Sequence, residues 1–219
     1  MSTVSAYAFE LDRVSRLFGS TAVLRRVSAT VPRGAGVVLT GANGAGKSTL
    51  LRILAGLLPA SAGTVRVLGE EPRAQLDRLA YMSHAPMLYD ELTGLENLRY
   101  AATLAGERAL EPAALLREVG LDPALPQRVG EYSQGMRQRA AFARALLSQP
   151  DLLLLDEPFS NLDAASAQQM VALLHTFLRT PALDGGARTL LLTTHQPELA
   201  RSLADIALAL NQGTLGASA

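Results

Sequence analysis

One segment narrows the possible folds of this 219-residue chain more than any other. The apolar run Val37-Val-Leu-Thr40 stops at a glycine, and Gly41-Ala-Asn-Gly-Ala-Gly46-Lys47-Ser48 follows. From Lys47 onward apolar residues recur at Leu50, Leu51, Ile53, Leu54, Leu57 and Leu58, the spacing of one helical face. A strand, a glycine-rich loop and a helix in that order make a cradle for phosphate. Backbone N–H groups across Gly41, Ala42, Asn43, Gly44, Ala45, Gly46 and Thr49 can curl around the oxygens, and the helix adds the positive end of its dipole. Lys47 would neutralise phosphate charge, and the Ser48 hydroxyl is placed to ligate Mg²⁺. Lys47 is also the one lysine among twenty basic residues. A crowded phosphate pocket suits a compact ammonium better than a wide guanidinium fork. The motif points to a nucleoside triphosphate and leaves the reaction open.

Composition excludes several classes. Acidic and basic residues balance at 20 each and no basic stripe stands out, so nucleic acid is not an expected partner. No uncharged run approaches the roughly 18 residues of a spanning helix, and Met1-Ser-Thr-Val-Ser-Ala lacks the basic and apolar regions of a signal peptide. A cytosolic chain is expected. With no cysteine, thiol, disulfide and zinc–thiolate chemistry are all absent.

The rest of the chain alternates strand and helix signals. Short strands are expected at 7–11, 23–24 and 27–31, then at 63–69 and 79–82. From about Pro86 to Pro150 the pattern becomes helical, with runs at 95–104, 112–119 and 133–147. Strand signals return at 152–155, 189–193 and 206–210, with a helix over Ala164–Arg179. This alternation predicts an α/β chain with a mainly parallel sheet covered on both faces.

A second site is expected where Leu152-Leu-Leu-Leu155 ends in Asp156-Glu157-Pro158, since ligands of open α/β sheets bind at the carboxyl ends of strands. Asp156 would orient Mg²⁺ and Glu157 would polarise the attacking water, although acidic residues also end strands simply as turn formers. The intervening block decides between these. Tyr132-Ser133-Gln134-Gly135-Met136, followed by a basic stretch and Ala143-Arg144-Ala-Leu146, begins its signature serine 23 residues before Asp156. Here the chain resembles the ATP-binding-cassette (ABC) ATPases in the order and spacing of their motifs. The resemblance extends to Phe18 as an adenine-stacking aromatic, to Ser160-Asn-Leu-Asp163 as the D-loop and to His195 as the switch histidine.

That resemblance implies a P-loop NTPase fold. Residues 1–85 and 151–219 would form a RecA-like core with an antiparallel β subdomain, and 86–150 an inserted α-helical signature subdomain. It implies ATP and Mg²⁺ as cofactors, with Lys47, Glu157 and His195 in catalysis. It also implies a head-to-tail dimer in which Ser133, Gln134 and Gly135 face the nucleotide of the other copy. Ser133 and Gly135 keep the family pattern, whereas Tyr132, Gln134 and Met136 depart from it. His84 stands where most relatives carry the glutamine of the coupling loop. Imidazole nitrogen is a poor substitute for a hard oxygen on Mg²⁺, so His84 is expected to act through water or as a link to a partner.

A coiled-coil insertion, as in chromosome-organising relatives, has no room between Ser48 and Ser133, and the second cassette of translation-type relatives is missing. The remaining expectation is the ATPase subunit of a transporter, held at the cytoplasmic face of the membrane by permease subunits on separate chains. His84-Ala85-Pro86, the run Leu92-Thr-Gly-Leu-Glu-Asn-Leu98 and Thr193-Thr-His-Gln-Pro197 are similar to the haem-exporter ATPase of cytochrome c maturation. Other small exporter ATPases share much of this pattern.

Overall fold

The computed structural model describes residues 5–106 and 109–217. Residues 1–4, which belong to the stretch lacking signal-peptide character, lie outside the described residues, as do 107–108 of the helical segment.

Two sheets organise the chain. β1 (Tyr7–Phe18), β2 (Thr21–Pro32) and β4 (Ala62–Val67) form an antiparallel sheet ordered β2-β1-β4. The larger sheet runs β5-β6-β7-β3-β8-β9, from β5 (Leu79–Met82), β6 (Leu152–Asp156), β7 (Thr189–Thr193), β3 (Gly36–Thr40), β8 (Ile206–Asn211) and β9 (Thr214–Ala217). Its first five strands are parallel, and β9 pairs antiparallel with β8. Between β5 and β6 lie α2 (Gly94–Ala105), α3 (Pro112–Glu118) and α4 (Gln134–Leu146). α1 (Lys47–Leu54) follows β3, α5 (Ala164–Arg179) joins β6 to β7, and the single turn α6 (Pro197–Ala200) follows β7.

Strand alternation sorts the core into two halves. In β6, Leu152 and Leu154 pack with α1 and the antiparallel sheet, while Leu153 and Leu155 pack with α4 and α5. Val37 and Leu39 of β3 face the first half and Val38 the second, because successive strand side chains point to opposite faces. A sheet buried on both sides needs continuous apolar runs, which β6 and β7 supply. α5 buries Ala167, Met170, Leu174 and Phe177, one stripe at helical spacing.

The structure departs from the sequence expectations in three places. β1 and β2 are continuous over 12 residues each, where the sequence pattern predicts shorter pieces. Bulges explain the irregular pattern: Arg13 and Arg26 have left-handed φ of 49° and 50°, and their N–H groups donate across the pair to Ser28 Oγ and Ser15 Oγ. α1 stops at Leu54 although apolar residues continue to Leu58, because Gly56 turns left-handed (φ 71°) and leaves Leu57 exposed. The hairpin to β9 turns at Gln212 and Gly213, both at positive φ, and β9 itself carries almost no apolar pattern.

Candidate functional site

The carboxyl ends of β3, β6 and β7 open onto one cavity of about 820 Å³. The loop after β3 contributes 42–49, β6 brings Asp156 and Glu157, and the turn after β7 brings His195. Ser83 and His84 follow β5, and Ser160 follows the two acids. The phosphate-loop, strand-end, switch and coupling-loop residues, separated by up to some 150 positions in sequence, thus share one wall.

The glycine loop enters α1 through Gly46, whose φ of 106° is closed to L side chains without strain. Lys47 is the first residue of α1 and 94% buried, and its Nζ donates to the Gly41 carbonyl (2.7 Å) and the Ala42 carbonyl (3.3 Å). The ammonium therefore sits inside the loop's curve, 4.0 Å from Glu157 Oε1.

β6 sets the two acids differently. Asp156, the last strand residue, is buried and accepts hydrogen bonds from Thr193 Oγ1 (2.8 Å) and Tyr81 Oη (3.4 Å). Burial, with the Asp156 carboxylate close behind, pushes the Tyr81 phenol above its ordinary pKa, which keeps it a donor. Glu157 leaves the strand with φ 56°, an uncommon conformation for a side-chain-bearing residue. Its N–H donates to Thr193 Oγ1 (3.0 Å), its Oε2 accepts the His195 N–H (3.1 Å), and its Oε1 lies 3.2 Å from His195 Nε2. Such strain persists where the surroundings over-determine it, and it clusters at functional sites.

The donor chemistry fits Mg²⁺. Ser48 and Asp156 offer hard oxygens, and among the described residues no group of three or more His, Cys, Asp or Glu side chains forms a metal cage. Mg²⁺ is ordinarily held by one or two protein oxygens, with water and substrate phosphates completing the octahedron.

The remaining sequence-predicted residues lie elsewhere. Phe18 is half exposed at the tip of the β1–β2 hairpin, with the Arg16 guanidinium 4.6 Å from its ring centre, and it does not line the cavity; Val23 does. Ser133 and Gln134 are exposed and Gly135 is buried, at the start of α4 and outside the cavity. Ser133 caps that helix by accepting the Met136 N–H (3.2 Å), and Asp163 caps α5 by accepting the Ser166 N–H (2.7 Å). Tyr132 is buried beneath α2, where a Cβ on Gly94 would come within 2.7 Å of its hydroxyl. Thr193 ties Asp156 to the backbone of Glu157, a role that its place in the Thr193-Thr-His-Gln-Pro run does not announce. Arg52 also lines the cavity and Tyr81 bonds Asp156, and only their helix and strand positions hint at it.

This fold and loop geometry define a P-loop nucleotide-binding domain. The ABC transporter family matches residues 24–160, and the chain belongs to it. The chain is 38% identical over 186 residues to a fluoroquinolones export ATP-binding protein of Mycobacterium tuberculosis, covering 83% of this chain and 60% of that protein. It is 34% identical over 219 residues to an Fe(3+) ions import ATP-binding protein of Rhodococcus jostii, covering 95% and 61%. It thus spans about three-fifths of the length of these relatives. Among solved structures, it is similar to the ATP binding subunit of an ABC transporter (32% identity, TM-score 0.78, covering 98% of this chain and 90% of that one). A dimeric bacterial ABC transporter cassette shares the fold at 24% identity, with TM-score 0.82 and 94% and 96% coverage. No helix among the described residues is long and apolar enough to cross a membrane.

Proposed function

We propose that this chain hydrolyses ATP as one of a pair of subunits that drive a transporter whose membrane-spanning parts are separate polypeptides. One observation carries the reading. Lys47, Ser48, Asp156, Glu157 and His195 share a cavity, while Ser133 and Gln134 stand exposed at a helix N-terminus outside it. A helix start with exposed polar groups fits an anion, and a second copy arranged head to tail would bring its nucleotide there. Each complete site then takes Lys47, Ser48 and Asp156 from one copy and Ser133 and Gly135 from the other.

Within each site Ser48 and Asp156 would hold Mg²⁺, which when bound supplies charge neutralisation on the phosphate oxygens. Glu157 accepts the proton of the attacking water, Lys47 holds the phosphates and His195 contacts the terminal one. Phe18 stacks on the base from the hairpin tip. His84 acts through water, carrying the state of the nucleotide toward the membrane subunit. That subunit would dock beside the same loop, where Met87, Tyr89, Tyr100 and Leu104 are exposed around a groove of about 300 Å³. The docked pair would lie at the cytoplasmic face of the membrane.

The similarity to an export protein supports export. The His84-Ala85-Pro86 and Thr193-Thr-His-Gln-Pro197 patterns support haem as the cargo. The test is purification with the native membrane partner. An exporter-type membrane protein without a substrate-binding protein is the expected result, and an importer-type permease with one overturns the direction. In the reconstituted complex haem is expected to stimulate ATP hydrolysis. Stimulation by a fluoroquinolone and not by haem would assign a drug exporter instead.

A further inference from the structure

Gln138 is 95% buried in α4, and its Nε2 donates to the carbonyl of Pro158 at 3.2 Å. Pro158 directly follows Glu157, so this bond grips the backbone one residue beyond the carboxylate. The other atom of the amide, Oε1, is buried with no hydrogen-bond partner. An apolar side chain of similar length would spare the unpaired Oε1 but would leave the buried Pro158 carbonyl without this donor, so the amide serves the bond it makes. The donor is what the position uses.

The bond also has a mechanical setting. Glu157 is held on its β7 side by Thr193 and His195, and within its own loop the Ser160 N–H donates to the Glu157 carbonyl (3.1 Å). Gln138 is the grip from the helical side. Three residues earlier on the same face of α4, Gly135 lies so close to α5 that a Cβ there would come within 2.4 Å of Ser166 Oγ. Ser166 in turn bonds the α5 cap Asp163. One face of α4, through Gln138 and Gly135, therefore rests on both ends of the loop running from Glu157 to the start of α5.

We propose that Gln138 is a positioning residue that couples the N-terminal turn of α4 to Glu157 of the same chain. Displacement of α4, when Ser133 and Gly135 engage the nucleotide of a second copy, is carried to the carboxylate that serves the chain's own nucleotide. The inference rests on Glu157 as the base, and the experiment separates the two.

ATP turnover and nucleotide affinity are measured for Gln138→Met, Glu157→Gln and the double variant, with thermal melting as a check on folding. Gln138→Met is expected to lower kcat about tenfold with KM for ATP unchanged. The double variant is expected to be no slower than Glu157→Gln alone, as for residues acting as a unit. Gln138→His, which carries a ring N–H at similar reach, is expected to recover part of the lost kcat. Multiplicative losses in the double variant, an unchanged kcat, or a rise in KM without loss of kcat would overturn the coupling. Near-normal turnover in Glu157→Gln would instead remove the base assignment, whatever Gln138 does. If Gln138→Met melts below the assay temperature, Gln138→Asn, which withdraws the amide by one methylene, takes its place in the same cycle.

Discussion

β6 carries a buried aspartate at each end, and the two are treated in opposite ways. Asp151, just before the strand, meets two guanidiniums: Arg78 Nε donates at 2.8 Å and Arg33 at 3.3 Å. Asp184 closes the cluster, with Arg33 at 2.8 Å and Arg78 at 2.7 Å. Asp156, at the other end, receives only the neutral hydroxyls of Thr193 and Tyr81, and among the described residues no Arg or Lys pairs with it. A buried carboxylate without a cation is unfavourable unless something supplies one. At the amino-terminal edge of the sheet the chain supplies its own cations and the site is a closed clamp. At the carboxyl-terminal edge it supplies no cation of its own, and there the cavity opens. The difference teaches where to look for chemistry in such a sheet: the carboxylate that the protein itself has not neutralised.

Three substitutions would break or sharpen this contrast. The largest effect is expected at the open end. Glu157→Gln keeps shape and removes the proton acceptor, so turnover should fall by about 10²–10⁴-fold. ATP binding should survive, and the protein should accumulate as a dimer in size-exclusion chromatography with ATP. Near-normal turnover would mean another group is the base.

At the closed end the readout is stability. Asp151→Ala removes the buried carboxylate shared by Arg33 and Arg78 and leaves both guanidiniums to Asp184, a loss of about 1–3 kcal/mol. In a domain of this size that lowers Tm by roughly 2–12 °C. Nucleotide affinity per folded molecule should not change. A loss of ATP binding without a fall in Tm would erase the distinction between the two ends.

The smallest effect is a pH dependence. The hydrogen bond from Arg33 holds the Asp184 carboxyl well below its usual pKa, so Asp184 contributes stability that is full above its unfolded pKa, about 4. That contribution is lost as pH falls from there toward the depressed folded value. The Tm difference between the wild type and Asp184→Asn should therefore be constant above about pH 5 and shrink below pH 4. A difference that grows in acid would show that another group governs the cluster.

Much of the open end is legible in the sequence. The phosphate loop, the two acids and His195 are contiguous motifs, and their chemistry depends on residue type and on a strand or helix terminus beside them. The closed end is not legible there, because Arg33, Arg78, Asp151 and Asp184 come from four separate segments and carry no local pattern. The same limit hides Thr193 and Tyr81, whose roles exist only because β5, β6 and β7 are neighbours in the sheet. β9 and the bulges of β1 and β2 escape for a different reason: turn and bulge geometry turns on single positive-φ residues, and Arg13, Arg26 and Gln212 are not residues that advertise it.

By itself, then, the sequence determined the class of ligand and the family. A glycine loop between an apolar strand and a helix is a ready cradle for phosphate, and the motif order is specific. Only the tertiary structure decided which charges are satisfied within the chain and which are left for a ligand. It also showed that Ser133 lies outside the cavity holding Lys47, and that Gln138 reaches the residue after Glu157. Those facts depend on which strands lie side by side and on where α4 packs, and both are set by burying two core halves against one sheet.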